Sequence, residues 1–266
     1  MPNAYVLLSH ERSGSHFVGE FLATLAGIRM FDEVCNPDAV KPTKARESFF
    51  RFRYDAILKD SRLLLEPTIQ GHRDFITAYF AHLQSLAAPA RVAVDIKYGH
   101  VQNFEWWWWP MFERPALLTL CEAADIGIIH LYRENVVEAT VSSMVANRRK
   151  IWHSWQPGAL AESVAPLALP VGEVVRKSKL LERQTRLFRD WTRKNTKIEI
   201  TYESIATDLG KGGPAEVALT GFLESSPKKV FSPRVQKLTP PLREIVENFG
   251  ELKEACEKAG WERFVS

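Results

Sequence analysis

The chain has 266 residues and a mass of 30.3 kDa, with 45% apolar and 25% charged residues, which is enough for one large α/β domain with a substantial core. Its formal charge of +3 is too small to mark a nucleic-acid partner. No apolar run reaches the ~18 residues of a membrane span, and "MPNAYVLLSH" lacks the basic start and apolar length of a secretory signal, so a cytoplasmic protein without a transmembrane segment is expected.

In chain order, "AYVLLS" (4 to 9) reads as a buried strand, and "HFVGEFLATLAGI" as a helix with Phe17, Phe21, Leu22 and Leu25 on one face. Further β-type runs are "RVAVDIKY" (91 to 98), "IGIIHLYR" (126 to 133) and "KIEITY" (197 to 202). Helix patterns cover 135 to 150, 173 to 195 and 240 to 259. "PGALAESVAPLALP" (157 to 170) is a loop or broken helix, and "LGKGGP" (209 to 214) a turn. Strands alternating with helices predict an α/β fold: a central parallel sheet flanked by helices. The three cysteines, Cys35, Cys121 and Cys256, are read as reduced thiols, and seven scattered histidines without a ligand-spaced cluster argue against a metal site.

The loop "SHERSGSH" follows the first strand and opens the first helix, where backbone N–H groups and the positive helix end converge. Gly14 lets a ligand approach the backbone, Ser13 and Ser15 supply hydroxyls, and Arg12 brings a forked cation, all suited to an oxyanion. The competing reading is a polar helix entry with Ser as the N-cap. The nucleotide-kinase pattern GxxxxGK[ST] is absent, because no Lys follows Gly14. A second segment, "IGIIHLYRENVVEATVSSMVANRRKIWHSW", ends a strand at Arg133 and places Ser142 in the following helix, so both could reach the C-terminal rim where open α/β sheets bind ligands.

Together these motifs resemble the sulfotransferases that use 3′-phosphoadenosine 5′-phosphosulfate (PAPS), and their wording is most similar to the bacterial branch that sulfates trehalose glycolipids. The resemblance implies a P-loop nucleotide-kinase-like sulfotransferase fold over the whole chain. It implies that Arg12, Ser13, Gly14, Ser15 and His16 hold the 5′-phosphosulfate, and that Arg133 and Ser142, nine residues apart, hold the 3′-phosphate. It further places Tyr202 of "ITYESI" near the adenine, with Arg234, Gln236 and Lys237 as extra 3′-phosphate contacts. PAPS is then the co-substrate, and no metal is required.

Sulfuryl transfer needs a base for the acceptor proton and positive charge at the leaving group. The resemblance puts the base at Glu33, nineteen residues after Gly14 and beside Asp32; the alternative is that these two acids form a solvated loop pair. His100, at the end of a predicted strand, is a second candidate base, and Lys97 could assist at the bridging oxygen. The run Trp106 to Trp109 cannot wholly face a core, so it lines either an acceptor cleft or a subunit interface, the latter implying a homodimer. The expected acceptor is a small hydroxyl or amine compound, either a sugar or a cationic metabolite, in a pocket built from loops at 36 to 90 and 100 to 115. An ATP-dependent small-molecule kinase of the same fold and a non-catalytic nucleotide-binding protein are the competing functions.

Overall fold

The computed structural model describes residues 2–36, 46–66, 68–105, 113–150, 165–234 and 240–265. Continuous apolar runs become strands covered on both faces, as parallel sheets require. β1 (Ala4–Ser9) is buried at every position. It lies at the centre of a five-stranded, wholly parallel sheet in the order β2-β3-β1-β4-β5, formed with β2 (Ile28–Phe31), β3 (Arg91–Lys97), β4 (Gly127–Tyr132) and β5 (Lys197–Thr201). Alternation along β1 sends Tyr5 and Leu7 to one layer and Val6 and Leu8 to the other.

The first layer packs α1 (Ser15–Leu22), α8 (Tyr202–Asp208) and α9 (Pro214–Leu223) on the sheet. The opposite layer is closed by α2 (Phe49–Lys59), α4 (Ile69–Ala87) and α5 (Ala116–Ala123). A third apolar cluster joins α6 (Val136–Arg149) and α7 (Val171–Trp191) to α10 (Leu242–Ile245) and α11 (Phe249–Lys258). The short helix α3 (Arg62–Leu65) completes the set.

Register fixes the rim. Ser9 lies opposite both Lys97 and Leu131, so the chain leaves β1, β3 and β4 at nearly one level. The chain changes direction across the sheet beside β1, and that point at the carboxyl ends is where open α/β sheets take ligands.

Four expectations change. The first helix ends at Leu22, the rest of its pattern is turn up to Gly27, and at Ile28 the chain enters edge strand β2, a four-residue element with no signal of its own. The stretch 36 to 90, read as loop, contains α2, α3 and α4; in α4, Phe75, Ile76, Tyr79, Phe80 and Leu83 recur at helical spacing and are buried. A 3₁₀ turn, Tyr98–Phe104, also occupies part of the second supposed loop region, 100 to 115. The helix expected over 240 to 259 is broken into α10 and α11. There Asn248 exchanges two 3.0 Å hydrogen bonds with the Leu169 backbone, and Leu167 bridges Val246, drawing the chain out of helix.

Candidate active site

The loop after β1 is shaped by two left-handed residues, Arg12 (φ 64°) and Gly14 (φ 87°). Gly14 is needed twice over. It caps α1 in a conformation that disfavours a side chain, and a Cβ there would lie 2.7 Å from Tyr202 Cδ2. No side chain caps α1, so the reading of a serine N-cap does not hold. Ser13 Oγ instead donates to the His10 carbonyl (2.7 Å), while Ser15 Oγ accepts from Lys97 Nζ (2.5 Å). Among the described residues, no side chain thus caps the N–H groups at the head of α1, which opens at the rim.

The two sequence motifs meet: Arg12 Nε donates to Ser142 Oγ at 3.2 Å, across 130 residues. Arg133 follows β4 immediately and is 4% exposed. Its guanidinium lies 4.2 Å from the ring centroid of Tyr202, the first residue of α8, and Nη2 is 2.7 Å from Glu138 Oε1. That ion pair is close but poorly aligned, and Arg133 Nε and Nη2 remain buried without a hydrogen-bond partner among the described residues. Burial, then the neighbouring charge of Arg133, lowers the pKa of Arg12. A buried arginine with unused donors beside a second arginine is a site where an oxyanion would satisfy what the protein does not.

On the other side of the loop lies a second cluster. Lys97, buried at the end of β3, donates to both oxygens of buried Asp95 (2.7 and 2.6 Å) and sits 3.5 Å from Glu33 Oε1. His16 Nε2 is 3.6 Å from the same oxygen, and Asn36 Nδ2 donates to Glu33 Oε2 at 2.6 Å. Burial pushes the Glu33 carboxyl up, but the His16 contact, the charge of Lys97 and the Asn36 hydrogen bond outweigh it and hold the group well below the usual carboxylate range. Glu33 is therefore ionised and anchored, not a solvated loop acid. His100 lies half-buried nearby with Nδ1 lacking a hydrogen-bond partner among the described residues; burial lowers its pKa, partly countered by the charge of Glu33.

Arg12, Ser13, Gly14, Ser15, His16, Glu33, Lys97, Arg133, Ser142 and Tyr202 are thus gathered along one rim. Arg234 is exposed and pairs with Glu20 of α1 (3.1 Å). Lys237, Gln236 and the run Trp106 to Trp109 lie outside the described residues. Sequence reasoning missed Asp95, Asn36 and His10. Asp95 was open to inference, because strand alternation puts it on the face of Lys97 two residues on. The ring of His10 accepts from the Arg133 N–H (3.2 Å), a pairing set by tertiary register with no local signal.

No family model matches the chain, and no curated protein matches it. Solved structures similar to it include two sulfotransferases. The sulfotransferase domain from the curacin biosynthetic pathway shares 15% identity, with 88% of this chain and 76% of that chain covered and a TM-score of 0.46. A sulfotransferase from Alicyclobacillus acidocaldarius shares 17% identity, covering 100% of this chain and 96% of its own, with a TM-score of 0.45. Likeness at this level leaves the chemistry to be argued from the site itself.

Proposed function

We propose that the chain is a cytoplasmic PAPS-dependent sulfotransferase, one domain of P-loop nucleotide-kinase-like sulfotransferase fold, acting on a hydroxyl or amine of a small acceptor such as a sugar, glycolipid or polar metabolite. The observation that carries this reading is the Arg12–Ser142 hydrogen bond beside buried Arg133, whose Nε and Nη2 face Glu203 and Glu138 as ion pairs but make no aligned hydrogen bond among the described residues. It supports a nucleotide held at two separate anionic ends, a requirement that ATP chemistry does not impose.

In this reading the loop N–H groups, Ser13, Ser15, His16 and Arg12 hold the 5′ end, and Arg133 with Ser142 holds the 3′-phosphate. Tyr202, against both Gly14 and Arg133, orders the region between them. PAPS supplies an activated sulfuryl group. The acceptor oxygen or nitrogen bonds to sulfur as the bond from sulfur to the 5′-phosphate oxygen breaks, and the nucleotide leaves with that electron pair. Arg12 and Lys97 neutralise the charge that develops there, with Asp95 fixing the lysine. The acceptor proton passes to Glu33, which His16 and Asn36 orient. The contact between Lys97 and Glu33 places base and electrophilic assistance within one cluster.

The direct test compares binding of 3′-phosphoadenosine 5′-phosphate with that of adenosine 5′-phosphate. The wild type should prefer the former, and Arg133→Ala should lose roughly 10- to 100-fold for it while changing little for the latter, as expected for a lost charge-assisted contact. Equal affinity of the wild type for both nucleotides would sink the reading. Transfer of labelled sulfuryl from PAPS to a panel of sugars and amines then identifies the acceptor.

A further inference from the structure

We propose that His10 is a positioning residue, a neutral imidazole latch that holds the loop after β1 in register with Arg133 after β4. It has no assigned role, and it sits where the two candidate phosphate-holding segments leave neighbouring strands. The inference rests on the reading of a two-ended nucleotide site.

The ring is 2% exposed, and both of its nitrogens have partners of fixed character. Nδ1 lies 2.7 Å from the Glu11 carbonyl, which can only accept, so Nδ1 carries the proton. Nε2 lies 3.2 Å from the backbone N–H of Arg133, which can only donate, so Nε2 is the acceptor. One tautomer satisfies both, and it is uncharged. The carbonyl of His10 also accepts from Ser13 Oγ, so one residue ties the start of the loop, its centre and the exit of β4.

Contacts run on from there in a closed circuit. Arg133 lies over the Tyr202 ring, and that ring fills the space against Gly14, back in the loop that His10 begins. Shifting the Arg133 backbone would therefore move its guanidinium relative to Ser142 and Arg12. A protonated ring would set an N–H against an N–H and add charge beside the cations Arg133 and Lys97, with the Tyr98 ring 6.0 Å away. Burial, followed by those two cations, lowers the His10 pKa to about 4 despite the opposing Glu11 hydrogen bond, in keeping with the neutral form that the geometry requires.

The test uses His10→Phe, which keeps a buried ring but removes the acceptor, and His10→Gln, whose amide can restore it. Affinities for 3′-phosphoadenosine 5′-phosphate and adenosine 5′-phosphate are measured for each, with amide hydrogen exchange read at Arg133. The expected result for His10→Phe is at least a tenfold fall in preference for the 3′-phosphorylated nucleotide, a change under about threefold for the other, and faster exchange at Arg133. His10→Gln should recover part of both. Parallel loss for both nucleotides, or unchanged Arg133 exchange, overturns the latch. If the wild type itself shows no preference, the functional reading fails, and the latch is then decided by the exchange of the Arg133 amide alone.

Discussion

At the scale of single residues, the proposed reaction divides the site into groups that would bind and one that would accept a proton. Glu33→Gln keeps the shape and the Asn36 side of the contact but removes the base. The kcat should fall by about 10²- to 10⁴-fold while nucleotide affinity stays within about threefold. Undiminished transfer by this variant would remove Glu33 from the mechanism. Because Glu33 is held below the ordinary carboxylate range, its ionisation should place no acid limb on the wild-type rate between about pH 5 and 8. An acid limb in that interval that disappears in His100→Gln would transfer the role to His100. Most of these residues were legible in the sequence because Arg12 to His16 and Arg133 to Ser142 are local motifs. His10 could not be singled out, because its importance depends on which strands lie side by side, whereas Asp95 shares a strand face with Lys97 two residues on.

Elements decide how those side chains are aimed. α1 begins at Gly14 with φ 87° and with Tyr202 pressed against the missing Cβ. Gly14→Ala should combine backbone strain of roughly 1 to 3 kcal/mol with displacement of Tyr202. A lower melting temperature together with weakened nucleotide binding checks this, whereas a fully stable, fully binding variant would contradict the packing. The break between α10 and α11 shows a complementary effect: "LREIVENFGELKEA" reads as one helix by local propensity, but the Leu169 backbone claims Asn248. In "IRMF", too few residues carry alternation for β2 to stand out, and its place comes from pairing with β3.

For the molecule as a whole, buried ionisable groups set the response to acid. His10 is neutral in the folded state with its pKa lowered to about 4, against an ordinary 6.5 when unfolded. The unfolded chain therefore binds more protons between those values, so stability rises with pH across that window and is lost on acidification, by an amount on the order of 3 kcal/mol. His72 and His130 act in the same direction, since burial lowers both. The stabilisation from Glu33 is present above its unfolded value and is lost only as pH falls through its lower folded one. Denaturant melts at pH 7 and pH 5 should show a clear loss for the wild type and a smaller one for His10→Phe. Equal losses would mean that His10 does not contribute.

The sequence by itself determined the class of fold and picked out the two segments proposed to bind anions, because hydrophobic period and short motifs are properties of neighbouring residues. Only the tertiary structure decided that Arg12 meets Ser142, that Glu33 reaches Lys97, and that His10 spans the two segments. Those contacts join residues that follow or sit on different elements of the fold. They follow from parallel register at the rim of the sheet, a quantity that no local pattern encodes.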